Sequence, residues 1–306
     1  MSPLSLTIGG YGPERSSHGA GLAAFREHVE EATAGEVAIR VVWNIMDTGR
    51  ANTDLLDLVE NGEMFLCYFS TSYLGPRVSE LNVLETPFLF PDLESAHRSL
   101  DGKLGVRLRE SVRAGTGFEA LGFWDNGFRH ITNRLRAIET PDDCRDMSVR
   151  IQPNPIHEEL IRSWGAVPVA VELSEGIRLI TSHRVDAQEN PLANTVAYGV
   201  DKVHPFVTIT GHLYGARGLF ANRDIYESLS EDVRLIVDEA ARRAIDVQRT
   251  AAADGEARLR SDMESEGTAF VDPDPDALRA FADASASAIA MAHDTVPRDL
   301  RDMVER

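Results

Sequence analysis

Polar side chains crowd one short segment of the chain, "DAQENPL", residues 186–192. Four hydrogen-bonding side chains fall within five positions: Asp186, Gln188, Glu189 and Asn190. The segment follows an amphipathic helical pattern, "SEGIRLITSHRV", and Pro191 prevents any helix from continuing through it. Such a segment could be an acid/base pair, a polar loop or the lining of a ligand pocket.

Two arginines suggest anion binding. Arg150 lies in the predicted strand "MSVRIQ", where alternation places it on the face opposite its neighbours Val149 and Ile151. Arg129, in "DNGFRHITN", lies just beyond the predicted strand "FEALGFW". Either arginine could be a surface or ion-paired residue. Alternatively, its planar guanidinium could receive a ligand carboxylate with two hydrogen bonds.

Signatures of catalysis, metals and cofactors are missing from the sequence. The glycine-rich turn "GGYGPERSSHGAG" follows a strand and precedes a helix, but it lacks the third glycine of a dinucleotide-binding loop. None of the nine histidines are spaced i, i+4 as in a helical zinc site, and no G-x-S-x-G sequence occurs. We therefore predict no catalytic residue, no metal site and no cofactor.

Size and charge narrow the functional class. The chain has 306 residues, enough for two domains, and 43% of them are hydrophobic. Its net charge of −18 argues against a nucleic-acid partner, because phosphates would be repelled. Cys67 and Cys144 are the only cysteines and indicate neither a disulfide framework nor a zinc site.

The N-terminus and the hydropathy pattern bear on localisation. "MSPLSLTIGG" has no basic segment followed by an apolar one, so this sequence shows no signal peptide. Taken alone, that favours the cytoplasm. The alternatives are a signal that was trimmed, or a misannotated start. No apolar run approaches the ~18 residues of a membrane span.

Strands and helices alternate along the chain. The pattern predicts strands at "LSLTI", "EVAIRVVW" and "EMFLCYF" with helices between them, then a helix over about 93–113 and the strand "FEALGFW". It restarts after the helix-start signal at Thr140–Asp143. A proline-free segment over about 228–266 predicts a helix well over 40 Å long that straddles two domains. The fold class is therefore α/β, with parallel strands and helices on both faces.

Several separate motifs together resemble a known family. They are "LNVLETPFLFPD", "PDDCRDMSVRIQ", "WGAVPVAVELSEGIRLITSHRVDAQENPL", "VTITGHLY" and "NRDIYESLSEDVR". In order and spacing they are similar to the extracytoplasmic solute-binding subunit of tripartite ATP-independent periplasmic (TRAP) transporters, the DctP family. The resemblance covers about residues 5–265. The glycines common in one family motif are replaced here by His183 and Ala187.

The resemblance implies a set of ligand-binding residues. Arg150 would form the principal salt bridge to a ligand carboxylate, Asn190 would assist it, and Arg129 would contribute. Further ligand-binding positions implied by the resemblance are Ser70, Tyr73, Tyr11, Leu173, Asn154 and His212. Trp124 and Phe128 are expected near the cleft. Asn190 would therefore face a pocket, whereas Gln188 and Glu189 are expected to make loop hydrogen bonds.

The resemblance also implies an architecture. The expected fold is a two-domain periplasmic-binding-protein-like α/β fold with a ligand cleft between the domains, hinge strands and a long domain-spanning helix. Because the chain crosses between domains, each domain should be discontinuous. The predicted boundaries are 1–124 plus 213–252 for the first domain and 125–212 plus 253–306 for the second.

The function implied by the resemblance is binding of a small organic-acid anion for delivery to a TRAP permease in the membrane, with the protein in the periplasm. A sugar acid, hydroxy acid or aromatic monocarboxylate is expected, and a dicarboxylate if Arg129 binds a second carboxyl group. One alternative is an α/β enzyme that binds a substrate carboxylate at Arg150, with His130, His183 or His212 as general base. The other is a stand-alone sensory or scavenging binding protein.

Overall fold

The computed structural model describes residues 3–305, which fall into two compact units, each built from three stretches of chain. Unit 1 comprises residues 1–70, 99–125 and 216–254, and unit 2 comprises residues 71–98, 126–215 and 255–306. The predicted boundaries differ from this division chiefly at residues 71–98, which the prediction assigns to the first domain, and by one to three residues at 125, 213–215 and 253–254. Residues 71–98 belong to unit 2, where the side chain of His157 bonds to that of Glu85.

Unit 1 is a sheet with helices against it. Its strands and helices up to residue 70 are β1 (Leu4–Gly9), α1 (Ser17–Ala32), β2 (Val37–Val42), α2 (Asp54–Glu60) and β3 (Leu66–Ser70). β1 pairs in parallel with both β2 and β3, and β3 pairs antiparallel with residues 217–221 of a later strand. Alternate β1 side chains, Leu6 and Ile8, are buried, as is Phe25 of α1, and all three belong to the hydrophobic core.

Two helices and a long strand follow. They are α3 (Leu93–Asp101), α4 (Lys103–Gly115) and β4 (Phe118–Asn133). The single helix expected over about 93–113 is therefore two helices, because the chain leaves the helical conformation at Gly102, which precedes α4. The strand expected to end at Trp124 continues to Asn133, because its last four residues pair with a later strand. Arg129 consequently lies within β4, not beyond a strand.

Unit 2 contains the rest of β4 and a second set of strands and helices. These are β5 (Ser148–Ile151), α5 (Pro155–Ser163), β6 (Val167–Ala170), α6 (Leu173–Thr181), β7 (Ala187–Asn190) and α7 (Leu192–Ala197). β7 pairs antiparallel with β4 and parallel with β5, which in turn pairs with β6. The segment "AQEN", expected as a loop, is thus a fully buried strand. Its backbone groups bond to strands on both sides, and that pairing outweighs the weak strand propensity of its polar residues.

The remaining elements include two that are shared by both units. The full set is β8 (Phe206–Asn222), α8 (Arg223–Ser228), α9 (Glu231–Ser265), β9 (Ala269–Val271), α10 (Pro275–Ala284), α11 (Ala286–Thr295) and α12 (Arg298–Arg301). β4, β8 and α9 each contribute residues to both units. The 35 residues of α9 correspond to about 52 Å of helix. In residues 3–305, no helix is both long enough and apolar enough to cross a membrane.

Candidate functional site

The guanidinium of Arg150 is buried without a carboxylate partner in the part of the chain that the structure describes. Its side chain extends from β5, and the residue is 2% exposed. Nη2 donates to the backbone oxygen of Val171 at 2.9 Å, while Nε has no hydrogen-bond partner among residues 3–305. A buried charge is normally paired, because desolvation strongly disfavours an isolated ion. Arg150 is therefore a candidate in unit 2 for receiving an anion.

Strand register places Asn190 on the same face as Arg150. Arg150 lies opposite Gln188 in the parallel pairing of β5 with β7, and side chains two residues apart share a face. Asn190 therefore projects from the face that carries Arg150, while Glu189 projects from the other. Arg129 belongs to the face of Glu189, because Ile131, two residues along β4, lies opposite Glu189.

Arg129 is held by Glu189. Its Nε donates to Oε2 of Glu189, and its Nη2 donates to Oε1 and to the backbone oxygen of the same residue, both at 2.8 Å. Burial alone would raise the pKa of Glu189, but the charge of Arg129, its hydrogen bonds and the nearby imidazole of His212 hold that pKa well below its ordinary value. The two residues form a buried ion pair inside unit 2, 3% and 1% exposed at their side chains.

The side chains of Asn154 and His212 also bond within unit 2. Asn154 caps α5 by accepting a hydrogen bond from the backbone N–H of Ile156 at 2.8 Å. His212 is fully buried, with Nδ1 at 2.7 Å from the Thr210 hydroxyl and its ring edge-on to Trp164. Burial lowers the pKa of His212, and the carboxylate of Glu189, 3.6 Å from Nε2, opposes that shift.

Tyr73 and Leu173 lie near Arg150 in unit 2. Burial raises the pKa of the Tyr73 phenol, and the nearby Arg150 guanidinium acts against that shift. Leu173 is the buried first residue of α6, the helix that packs on the Arg150 side chain through Gly176. Tyr73 adds a hydrogen-bonding group beside the arginine, and Leu173 adds an apolar surface.

In unit 1, Tyr11 and Ser70 both lie beside Arg217. The Arg217 guanidinium carbon lies 4.6 Å from the centroid of the Tyr11 ring and 5.3 Å from that of Tyr68. Ser70, the last residue of β3, is opposite Arg217 in the strand pairing. Trp124 is fully buried in this unit, and its ring packs on that of Tyr68.

The sequence reasoning missed three residues in these clusters. Arg217 is a buried arginine in the strand segment "YGARGLF". An arginine within a strand is the pattern that singled out Arg150, so Arg217 could have been found in the same way. Gly176 and Asn194 gave no such signal. Gly176 matters through its close approach to Arg150, and Asn194 matters through its bonds to Asn190 and to Asn126, which is sixty-eight positions earlier.

Gly176 gives a testable prediction about the geometry of Arg150. A Cβ atom at position 176 would lie 2.5 Å from Nε of Arg150 and 3.0 Å from its Cδ, so Gly176→Ala must displace the guanidinium. Alanine is the better helix former by about 1 kcal/mol, and this gain should offset the cost of moving the Arg150 side chain. The free energy of unfolding of the ligand-free protein should therefore be nearly unchanged. We expect the affinity for any anion that binds at Arg150, measured by calorimetry, to fall at least tenfold. A variant whose free energy of unfolding falls by as much as its free energy of binding would contradict this account.

Comparison with known proteins identifies the family. Residues 8–294 match DctP, described as bacterial extracellular solute-binding protein, family 7. A solute-binding protein of Verminephrobacter eiseniae is 29% identical over 85% of this chain and 76% of its own length. The 2,3-diketo-L-gulonate-binding periplasmic protein YiaO of Escherichia coli is 26% identical over 93% of this chain and 85% of its own length.

A solved structure extends the comparison to the fold. The TRAP periplasmic solute-binding protein of Polaromonas sp. JS666, bound to D-erythronate, is 27% identical and superposes with a TM-score of 0.91 over 98% of both chains. The predicted resemblance and the predicted two-domain periplasmic-binding-protein-like fold class are confirmed. The matched family and fold are those of transporter binding proteins, not of enzymes. The chain belongs to the DctP family of bacterial extracellular solute-binding proteins.

Proposed function

We propose that this protein binds a small organic-acid anion through Arg150 and delivers it to a TRAP permease. The observation that carries the proposal is the buried guanidinium of Arg150, which has no carboxylate within ion-pair distance among residues 3–305. A ligand carboxylate would supply the missing negative charge, and each charge-assisted hydrogen bond would contribute about 1.5–3 kcal/mol. Family membership supports the permease partner and an extracytoplasmic location.

Asn190 and Tyr73 are proposed as the other polar contacts in unit 2. Asn190 shares a strand face with Arg150, and the phenol of Tyr73 lies near the guanidinium. Leu173 would pack against the body of the ligand. From unit 1 we propose Tyr11 and Ser70. Arg129, Asn154 and His212 bond to other groups of unit 2, so we propose that they support the site more than they contact the ligand.

The proposed ligand class is a monocarboxylate, with sugar acids and hydroxy acids first. Related proteins support this choice, since the relatives described above bind D-erythronate and 2,3-diketo-L-gulonate, a four-carbon and a six-carbon sugar acid. Within unit 2, the guanidinium of Arg129 donates hydrogen bonds to both carboxylate oxygens of Glu189. This arrangement favours one ligand carboxylate at Arg150 over two carboxylates shared between the arginines.

Thermal melting against a panel of acids tests the proposal. The panel contains D-erythronate, D-galactonate, D-glucuronate, lactate, benzoate and succinate, with erythritol as the uncharged control. A ligand at a hundred times its Kd should stabilise the protein by about 2.7 kcal/mol and raise Tm by about 5 °C. Arg150→Ala should abolish the shift. Arg178→Ala, which removes an exposed arginine from α6, should retain it.

The outcomes separate carboxylate capture from other functions. A shift with one class of acid that is lost only in Arg150→Ala would support the proposal and identify the ligand class. A wild-type protein that responds to no acid would contradict it, as would an Arg150→Ala variant with an undiminished shift.

A further inference from the structure

Three buried asparagines of unit 2 form a hydrogen-bonded chain that ends at Asn190. Asn194 lies on α7, and its Nδ2 donates to Oδ1 of Asn126 and to Oδ1 of Asn190, each at 3.0 Å. Asn126 lies on β4 and Asn190 ends β7, so the chain joins three elements. All three asparagines are no more than 9% exposed.

The side-chain amide of Asn194 determines how the amides of Asn126 and Asn190 are oriented. An amide nitrogen carries two hydrogens, and here each has an acceptor, so Nδ2 of Asn194 is fully used. With Oδ1 of Asn190 held toward Asn194, the amide group of Asn190 presents its nitrogen, a donor, in the opposite direction. A donor beside Arg150 attracts a carboxylate, whereas an exposed amide oxygen would repel it.

We infer that Asn194 is a positioning residue that fixes the Asn190 side chain with its amide nitrogen toward the ligand anion. This inference rests on the proposed function. It assigns Asn194 a role without ligand contact: its double donation excludes the rotamer in which Asn190 would present its carbonyl oxygen to the carboxylate.

Asn194→Asp is the decisive variant. Aspartate is nearly isosteric with asparagine, but when ionised it only accepts hydrogen bonds. Asn190 and Asn126 would then turn their amide nitrogens toward residue 194, and the oxygen of Asn190 would face the ligand. We expect affinity for the most stabilising acid of the melting panel to fall at least thirtyfold by titration calorimetry.

Asn126→Asp is the matched control for charge. It places the same negative charge in the same asparagine chain, but a carboxylate at position 126 still accepts from Asn194 and leaves the orientation of Asn190 unchanged. We expect its loss of affinity to be at least tenfold smaller than that of Asn194→Asp. Equal losses in the two variants would overturn the inference, because charge alone would then explain both.

A double-mutant cycle with Asn190→Ala separates positioning from general damage. If Asn194 acts through the amide of Asn190, then adding Asn194→Asp to Asn190→Ala should cost no more affinity than adding Asn126→Asp does. A full additional loss in the Asn190→Ala background would overturn the inference. If no acid in the panel binds the wild-type protein, the proposed function fails and this inference fails with it. If binding depends on Arg150 but not on Asn194, only the inference fails.

Discussion

Replacing Arg129 by methionine is expected to lower the free energy of unfolding by about 3–5 kcal/mol. The variant would leave the Glu189 carboxylate, 1% exposed at its side chain, without the guanidinium that donates two hydrogen bonds to it. A buried, uncompensated charge is far less stable than a buried pair. Urea denaturation of the ligand-free protein at pH 7.5, followed by circular dichroism, measures the change.

Removing both charges should restore most of that stability. The double variant Arg129→Met/Glu189→Leu leaves no buried ion behind, and apolar replacements of a buried pair are often nearly neutral. The double-mutant cycle should therefore show a coupling of at least about 2 kcal/mol. An Arg129→Met variant within 1 kcal/mol of wild type, roughly the effect of an ordinary substitution, would contradict this role for the pair.

Arg150 should behave in the opposite way. Because no carboxylate among residues 3–305 is paired with it, Arg150→Ala leaves no acid unpaired. We expect the ligand-free variant to unfold within about 1 kcal/mol of the wild-type free energy. These measurements should therefore distinguish the two arginines. Arg129 is expected to be required mainly for stability, and Arg150 mainly for ligand binding.

Acidification to pH 5 is expected to lower the free energy of unfolding by about 4 kcal/mol through two buried histidines. Burial, reinforced by nearby positive charges, lowers the pKa of His130 to about 3 and that of His204 to about 4. In the unfolded chain both titrate near 6.5, so between these values the unfolded state binds more protons. The contribution is complete above pH 6.5 and is lost as the pH falls from 6.5 toward about 4 for His204 and about 3 for His130.

Single variants test whether His130 and His204 cause the loss of stability in acid. His130→Asn keeps an acceptor for the Gly211 N–H, and His204→Gln keeps a polar group for the Thr132 hydroxyl. Each should lose only about 2 kcal/mol between pH 7.5 and pH 5, half the wild-type loss. His183→Gln removes an exposed imidazole and serves as the control. If the pH dependence of both buried variants matches that of wild type, the instability in acid has another source.

Short sequence patterns predicted most of the helices and strands, because the residues that start and end these elements lie within a few positions of them. Ser16 does cap α1, and the capping box formed by Thr140 and Asp143 opens a short helical turn. The α/β class followed from the alternation of these signals. The motifs around Arg150 and Asn190 predicted the family, which the comparisons confirm.

The missed features depend on contacts between residues far apart in the sequence. "AQEN" has no strand pattern of its own and becomes β7 because β4 and β5 pair with it on both sides. The partner of Arg129, Glu189, is sixty positions away, and nothing local to either residue predicts the pair. The role of Asn194 depends on Asn126, sixty-eight positions earlier, in the same way.

The three-part construction of each unit has a consequence for folding during synthesis. β3 finds its antiparallel partner only when residues 217–221 have been made, and the β8 segment that pairs with β9 needs residues 269–271. A ribosome-bound chain of about two hundred residues therefore lacks strands that both units require. High contact order of this kind slows folding. The nascent chain should stay unfolded and open to chaperones until synthesis is nearly finished, a state suited to passage across a membrane as an extended polypeptide.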